Sequence, residues 1–256
     1  MTLPFTVPLS DRFATSIRSL PPLAEYEPEH LCTSDFRLYS DAKLEMFYAP
    51  FDAVNRSAKV AIVGITPGFQ QMEVAFRVAR AALNDTASVT DACNQAKAQA
   101  SFAGTMRLNL ISMFADIGLH DALGISDARM LFYSCRSLLH TTSAIRYPVF
   151  VRGANYTGYN PRPMRHPVLR DIIFEVLAPE LAEVSDALII PLGKAVDDCL
   201  SDLITSGVVS CDRCLVGFPH PSSVNGHKKR QFDQNREMLR TKAASWFAKE
   251  AVVTKE

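Results

Sequence analysis

The sequence lacks the long apolar run that a membrane-spanning helix needs. No apolar stretch approaches the roughly 18 residues that cross a bilayer, so we expect no integral membrane protein. The N-terminus has no basic segment and reaches Asp11 and Arg12 early, which argues against a signal peptide. Six cysteines are spread over 256 residues, mostly within apolar segments. This pattern is typical of reduced thiols in a cytoplasmic protein and not of a disulfide framework.

The sequence also lacks a net charge, with 27 basic and 27 acidic residues. Taken alone, this balance argues against a simple polyanion-binding protein. However, no carboxylate occurs between Asp127 and Asp171, where seven arginines lie, and residues 227–230 form a second basic cluster. Two basic segments on a neutral chain indicate a local site for an anionic ligand. A chance asymmetry of composition is the alternative.

Short apolar segments alternate with amphipathic segments along the chain. The segments predicted to form strands are residues 59–64, 137–145, 187–192 and 214–218. The segments predicted to form helices are residues 72–83, 168–181, 193–203 and 228–248. This alternation predicts an α/β fold with a parallel sheet covered by helices on both faces.

Two further segments are rich in proline. Residues 1–57 are predicted to be an irregular N-terminal extension with one short helix at residues 11–20. Residues 147–167 are predicted to form a long loop, and a loop of this length is usually functional. Since we find no internal repeat and no linker, residues 1–256 are predicted to form a single domain.

Three predicted strand ends carry polar or glycine-rich residues. They are residues 64–68 (GITPG), 141–143 (TTS) and 220–223 (HPSS). Ligands of an open parallel sheet bind beyond the carboxyl ends of its strands, so these segments are candidates for one site. Each of them alone is also common in ordinary turns.

Together these segments resemble motifs of the uracil-DNA glycosylase superfamily. Residues 64–68 resemble its first motif, G-Q-D-P-Y or G-I-N-P-G, and residues 220–225 resemble its second motif, H-P-S-P-x-S. Residues 190–195 (IPLGKA) resemble the strand-to-helix turn of that fold, and residues 142–146 lie where the family has T-N-x-x-K. The resemblance implies a three-layer α/β/α sandwich with a central four-stranded parallel sheet. It also implies DNA as the partner, with one base flipped into a pocket.

The resemblance implies roles for individual residues. His220 stabilises the departing base, and Thr66 stands where Asp or Asn orients the attacking water. Glu45 and Asp52 are alternative carboxylates for that water, although a surface or capping role would also explain each. The residues expected to line the flipped base are Gly64, Ile65, Pro67, Gly68, Phe69, Ser143, Asn155 and Asn160, with Phe76 as an alternative stacking face. The residues expected to contact DNA are Ser222, Ser223, Val224, Asn225, Lys228, Lys229, Arg230, Arg152 and Arg162.

Three departures from the family pattern concern the identity of the base. The hydroxyl of Thr66 is a weaker base than a carboxylate, and Ser143 replaces the asparagine that reads the pyrimidine edge. Gly68 replaces the tyrosine that blocks 5-substituents in strict uracil enzymes. The loop at residues 147–167 carries Asn, Tyr and Arg side chains that suit the hydroxyls of a sugar. The alternative is that this loop only contacts the DNA backbone.

These observations predict a DNA glycosylase that releases a 5-substituted pyrimidine and leaves an abasic site. Some bacterial members of the superfamily are anti-phage enzymes that remove glucosylated hydroxymethylcytosine, and this chain is similar to them. A repair glycosylase on uracil or mispaired bases and an inactive DNA-binding protein are the alternatives. We expect a cytoplasmic monomer without a cofactor. Cys211 and Cys214 have metal-ligand spacing, but a single such pair predicts no metal.

Overall fold

The protein is described by a computed structural model that covers residues 8–222 and 225–253. Ser223 and Val224, two of the predicted DNA contacts, lie outside the described residues. Contacts along the chain divide it into two compact units. Unit 1 comprises Met1–Val54, Ile65–Ser101 and Thr142–Pro179, and unit 2 comprises Asn55–Gly64, Phe102–Thr141 and Glu180–Glu256.

The chain contains both helices and strands and one parallel sheet, which confirms the predicted α/β class. The helices are α1 (Ser10–Ser19), α2 (Pro28–Leu31), α3 (Phe69–Asn84), α4 (Val89–Ala100), α5 (Thr105–Asp116), α6 (Leu119–Ala122), α7 (Pro167–Ile172), α8 (Ala178–Glu183), α9 (Lys194–Thr205) and α10 (Lys228–Val253). The strands are β1 (Arg37–Ser40), β2 (Glu45–Phe47), β3 (Val60–Gly64), β4 (Leu139–Ser143), β5 (Val149–Val151), β6 (Ala154–Asn155) and β7 (Leu188–Pro191). A π-helical turn, Ile173–Leu177, separates α7 from α8. Among the described helices, none combines the length and the apolar character that crossing a membrane requires.

The sheet of unit 2 is parallel and has the strand order β4-β3-β7. Val60 of β3 lies opposite Leu188 of β7, and Val63 lies opposite Pro191. Every residue of these two strands is buried, as expected for parallel strands that read as continuous apolar runs. The three strands match three of the predicted segments.

The prediction of a fourth parallel strand at residues 214–218 is wrong. Within this segment, Cys214 forms a single parallel bridge with Ile189, and the N–H of Leu215 donates to the carbonyl of Ile189. Gly217 then adopts a φ of +87°, which turns the backbone out of the extended conformation. The central sheet is therefore three-stranded, and residues 218–222 continue without regular secondary structure.

The core of unit 2 lies against one face of this sheet. Alternate residues of β3 and β7 pack against α5 and α10, whose apolar residues recur at helical spacing. Phe218 lies within this core, with its ring centroid 5.6 Å from that of Phe114 and 5.8 Å from that of Phe232. The chain that follows Phe218 is thereby attached to the core of the unit.

Unit 1 contains a second sheet that was not predicted from the sequence. It is antiparallel between its neighbours and has the order β1-β2-β5-β6. Its strands correct the prediction that residues 1–57 and 147–167 are irregular. The strands have two to four residues, which is too short for an alternating pattern to be recognised. Arg152 and Gly153 have φ values of +52° and +76°, as in the two-residue turns that join hairpin strands.

An aromatic cluster fills the core of unit 1. The ring of Tyr48 stacks on Phe13 at 4.2 Å between centroids, and Phe76 meets Phe36 edge-on at 4.7 Å. Phe76 is fully buried in this cluster, so it is a core residue and the alternative stacking role does not suit it. The cluster holds the chain around Tyr48 and the carboxylate of Asp52 that follows it.

Candidate functional site

The second-motif histidine follows directly from the core residue Phe218 in unit 2. Its Nδ1 accepts the backbone N–H of Ser222 at 3.3 Å. A neutral imidazole whose Nδ1 is an acceptor carries its proton on Nε2. Within residues 8–222 and 225–253, no group is hydrogen-bonded to Nε2 of His220. The ring therefore presents one N–H donor that a ligand can use.

The electrostatic surroundings keep His220 neutral. Burial lowers the pKa of the ring, and the positive charge of Lys228 lowers it further. At neutral pH the side chain is therefore a hydrogen-bond donor without a full charge. Such a group stabilises negative charge that develops on a leaving base.

The glycine of the IPLGKA turn packs directly against His220. Gly193 has a φ of +88°, and a methyl group in place of its hydrogen would lie 3.0 Å from Cβ of His220. The N–H of Gly193 also donates to the carbonyl of Phe218 at 2.8 Å. Both the backbone conformation and the close approach require glycine here. The IPLGKA turn and the second motif are therefore in direct contact in unit 2.

Three side chains donate hydrogen bonds to the backbone carbonyls of the second motif, at residues 220 and 221. The carbonyl of Pro221 accepts from Nδ2 of Asn109 at 2.7 Å and from Nζ of Lys228 at 3.3 Å. The carbonyl of His220 accepts from Nδ2 of Asn225 at 3.2 Å. Asn109 was not predicted from the sequence, because it precedes the turn by 112 residues and belongs to no motif. These bonds fix the turn through its backbone.

The basic cluster at the start of α10 divides into two kinds of residue. Lys228 is half-buried and bonded to the turn, whereas Lys229 and Arg230 are exposed. No carboxylate among the described residues forms an ion pair with Lys229 or Arg230. These two side chains are therefore available to phosphate groups.

The arginines between Asp127 and Asp171 differ in their hydrogen-bond partners and in their exposure. Arg129 pairs with Asp127 at 2.7 Å, and Arg136 donates to Thr141 Oγ1 at 3.0 Å. Burial, and the charge of Arg107 in addition, lower the pKa of Arg136 to about 10. Arg152 and Arg162, predicted to contact DNA, are exposed.

The first motif lies in unit 1 apart from its initial residue, Gly64, which ends β3 in unit 2. The hydroxyl of Thr66 donates to the carbonyl of Tyr147 at 2.9 Å. Its oxygen can therefore still accept a hydrogen bond from water, but its proton is engaged. Ile65 and Pro67 are buried, and the N–H of Ile145 donates to the carbonyl of Ile65 at 2.9 Å.

Two predicted base-lining residues meet in unit 1. A methyl group at Gly68 would lie 3.3 Å from Nδ2 of Asn155, and Oδ1 of Asn155 accepts the N–H of Phe69 at 2.9 Å. Asn155 thus supplies the hydrogen bond that the first turn of α3 needs. Within the described part of the chain, its Nδ2 has no hydrogen-bond partner. Phe69 is half-buried.

The remaining predicted base-lining residues differ in exposure. Ser143 is buried at the end of β4, with 9% of its surface exposed. Asn160 is exposed and precedes a cis peptide bond to Pro161. In the described residues, no hydrogen bond joins Asn160 to Asn155.

The two alternative carboxylates have opposite surroundings. Glu45 is half-buried, with 42% of its side chain exposed, and pairs with Arg37 at 3.4 Å. Asp52 is buried and accepts from the hydroxyl of Tyr147 at 2.5 Å, from the hydroxyl of Tyr48 at 3.0 Å and from the N–H of Leu9 at 3.3 Å. Arg146 lies 3.7 Å from the same carboxylate.

The tyrosines around Asp52 remain protonated donors. Burial, followed by the charge of Asp52, raises the pKa of Tyr48 and of Tyr147 well above the ordinary value. Both oxygens of Asp52 are therefore occupied by donors, which makes it a structural anion at the centre of unit 1. The sequence motif does not contain these tyrosines, and their hydroxyl partners could not be predicted from it.

Cys211 and Cys214, the pair with metal-ligand spacing, lie in unit 2. Cys211 is exposed and Cys214 is buried, and both are free thiols. Among the described residues, no three His, Cys, Asp or Glu side chains are grouped so that they could hold a metal ion.

Comparison with known proteins finds a relative in Bacillus subtilis. The uncharacterized protein YoxB of Bacillus subtilis (strain 168) is 40% identical over 238 residues, which are 92% of this chain and 92% of YoxB. No protein-family model matches the chain, and no solved structure gives a significant match. The name of the relative states no activity, substrate or partner.

Proposed function

We propose that this chain, which belongs to the same family as the Bacillus subtilis protein YoxB, is a DNA glycosylase acting on a 5-substituted pyrimidine. The observation that carries the proposal is the state of His220. Its Nδ1 is held by the N–H of Ser222, its pKa is lowered by burial and by Lys228, and its Nε2 is free of partners in the described residues. A protein that only bound DNA would not need a donor prepared in this way.

The reaction places negative charge on the base. When the bond between C1′ of the deoxyribose and N1 of the pyrimidine breaks, its electron pair stays with the base, and the sugar becomes electron-deficient. A neutral Nε2–H donor directed at O2 of the base stabilises this charge without transferring a proton. Water adds to C1′, its hydroxyl remains on the sugar, and its proton completes the released base.

The second-motif turn and the cluster after it suit a DNA backbone. Lys229 and Arg230 are exposed cations without ion-pair partners among the described residues, so each can neutralise a phosphate. Asn109 and Lys228 donate to the carbonyl of Pro221 and Asn225 donates to that of His220, so the backbone at these two residues is already ordered before DNA binds.

The proposed substrate class depends on Gly68 and Asn155. The resemblance assigns position 68 to the 5-side of the pyrimidine, and the residue beside it is an exposed amide, not an aromatic wall. The free Nδ2 group of Asn155 is a donor suited to a hydroxyl or sugar oxygen. These features favour a base with a polar 5-substituent, such as glucosylated hydroxymethylcytosine, in a defence role in the cytoplasm.

One observation favours a DNA-binding protein without chemistry as the second candidate. The hydroxyl proton of Thr66 is engaged by the carbonyl of Tyr147, and Asp52 is surrounded by donors, so neither is an evident base for water. However, release of the pyrimidine does not need a strong proton acceptor for the water, because much of the barrier lies in breaking the glycosidic bond.

The test uses four DNA duplexes that contain, at one position, cytosine, uracil, hydroxymethylcytosine or glucosylated hydroxymethylcytosine. After incubation with the protein, alkali cleaves the strand at any abasic site. We expect cleavage of the glucosylated duplex and none of the cytosine duplex. Cleavage of the uracil duplex alone would identify a repair enzyme. DNA binding without cleavage of any duplex would overturn the proposed activity.

A further inference from the structure

Cys211 and Cys214 lie one tight turn apart, and the proposed glycosylase chemistry uses neither. Cys211 begins a 3-10 helix, Cys211–Arg213, and the N–H of Cys214 donates to the carbonyl of Cys211 at 3.1 Å. A turn closed by a bond from residue i to i+3 brings the two Cα atoms within about 7 Å. Disulfides bridge Cα separations of about 4.4–6.8 Å, so the backbone of this turn is compatible with one.

The thiol of Cys214 points back toward the start of the turn. Its Sγ lies 3.7 Å from the carbonyl oxygen of Ser210, the residue immediately before Cys211. Cys214 follows the 3-10 helix in an extended conformation, and the thiol of Cys211 donates to Oδ1 of Asp212 at 3.8 Å. Closure therefore requires the exposed side chain of Cys211 to rotate about χ1 away from Asp212 toward Cys214.

The two thiols differ in access and in charge. Cys211 is exposed, and both the carboxylate of Asp212, which its thiol contacts, and the ammonium group of Lys242, which donates to its carbonyl at 3.1 Å, lie beside it. Cys214 is fully buried, and burial raises its pKa to about 11. A reagent in solution therefore meets Cys211 first. Cys214 reacts only with a sulfur that is already beside it.

The start and the end of this turn are held in place. Arg213 donates to the carbonyls of Val184 and Leu181, at 2.6 and 3.3 Å, and Cys214 bridges to Ile189 of β7. The geometry of the pair is therefore set by the packing of unit 2 and not by a flexible loop. From the surroundings of the pair, we propose that Cys211 and Cys214 are a redox-active dithiol. Low-molecular-weight disulfides are the oxidants that convert it to an intramolecular disulfide.

The exchange takes two balanced steps. The Cys211 thiolate attacks one sulfur of a disulfide RSSR, forming a Cys211–SR mixed disulfide and releasing RS⁻. Cys214 loses its proton to solvent and attacks the Cys211 sulfur, forming the intramolecular disulfide and releasing a second RS⁻. The protein dithiol loses two electrons, and RSSR is reduced to two thiols.

The experiment equilibrates the full-length protein with oxidised and reduced glutathione, blocks free thiols with N-ethylmaleimide and digests with trypsin without reduction. Cleavage after Arg213 separates the two cysteines, so the disulfide appears as two tryptic peptides joined by a bond. We expect this cross-linked product from the wild type. We also expect Cys214→Ala to accumulate glutathione on Cys211, at least about tenfold above wild type, because the resolving thiol is missing.

A Cys135→Ser variant, which removes a half-buried thiol elsewhere in the unit, is the matched control and should form the cross-link normally. The closing step should accelerate as the pH rises from 7 to 9, because a larger fraction of Cys214 is then deprotonated. A wild-type protein that keeps glutathione on Cys211, or that leaves both thiols free in oxidised glutathione, would overturn the proposal.

Discussion

The amide of Asn155 lies against Gly68, so close that a methyl group on the glycine would be 3.3 Å from Nδ2. The backbone at Gly68 is extended, with φ −82° and ψ 173°, a conformation that any residue adopts. The neighbouring amide, and not the backbone, therefore limits the size of the side chain at this position. A larger side chain at position 68 therefore tests the space available to the substrate without straining the backbone.

We expect Gly68→Tyr to abolish release of glucosylated hydroxymethylcytosine. The tyrosine ring would displace Asn155 and occupy the space that the 5-substituent needs. The loss should follow the size of the substituent, severe for the glucosyl group and least for hydrogen. Affinity for DNA with an abasic site should change little. Gly68→Ala is the matched control with a small effect, and thermal melts report the fold. If a folded Gly68→Tyr protein released the glucosylated base at the wild-type rate, Gly68 would not be the residue that leaves space for the 5-substituent.

We expect His220→Ala to lower the rate of base release by about a hundredfold or more, the usual effect of losing one transition-state donor. The variant should stay folded with a DNA affinity close to wild type, because Asn109, Asn225 and Lys228 bond to the backbone carbonyls of residues 220 and 221 and not to the imidazole. His227→Ala removes an exposed histidine of the same segment and is the control. Single-turnover kinetics measure the effect, and equal rates for the two variants would remove His220 from the mechanism.

The pH dependence tests the charge state of His220. The neutral ring is the active form, and its pKa is lowered by burial and by Lys228. Base release should therefore be constant near pH 7 and fall on the acidic side, at a pH below the ordinary histidine value of about 6.5. Lys228→Met should shift this acidic limb to higher pH, whereas Lys229→Met should not. Coincident profiles for wild type and Lys228→Met would show that another group titrates.

The same shift has a consequence for stability. Because the pKa of His220 is lower in the folded protein, the unfolded chain binds more protons below the ordinary value. The contribution of His220 to the free energy of unfolding is thus present above that value and is lost as the pH falls toward the lowered pKa. Urea titrations of wild type and His220→Ala at several pH values isolate this contribution. The stability difference between the two proteins should shrink in acid.

The exposed cations at the start of α10 should determine part of the salt dependence of DNA binding. Replacing Lys229 and Arg230 together with Ala should reduce the slope of log K against log salt by roughly two, about one per lost phosphate contact. Lys249→Ala, at the other end of the same helix, is the control and should leave the slope unchanged. Equal slopes for all three proteins would mean that the cluster is only a solvated helix start.

Asp52 and Glu45 should respond differently to loss of charge. Asp52→Asn should lower the free energy of unfolding by about 2–4 kcal/mol, because it disrupts a buried carboxylate bonded to two tyrosine hydroxyls. Glu45→Gln should change it by less than about 1 kcal/mol, as expected for an exposed ion pair. Denaturant titration measures both. A stable Asp52→Asn protein that has lost base release would instead indicate that Asp52 activates the water.

Local patterns in the sequence determined much of unit 2. Residues 59–64 and 187–192 were predicted as strands because continuous apolar runs bounded by glycine or proline leave few other structures. The helix at residues 228–248 was predicted from its spacing and lies within α10. The turn at His220 could be identified because its residues are adjacent in the chain. In each case the information lies within a few neighbouring residues.

Tertiary structure decided what depends on distant partners. Residues 214–218 are apolar enough for a strand, yet φ at Gly217 and the attachment of Phe218 to the core turn them away from the sheet. The strands of unit 1 are stabilised by pairing across a hundred residues of chain, as between Met46 and Val149, and no local pattern encodes such a register. Tertiary structure likewise determines the hydrogen bonds of Asn109, of Asn155 and of the tyrosines around Asp52. A hydrogen bond between groups far apart in sequence exists only once folding has brought them together.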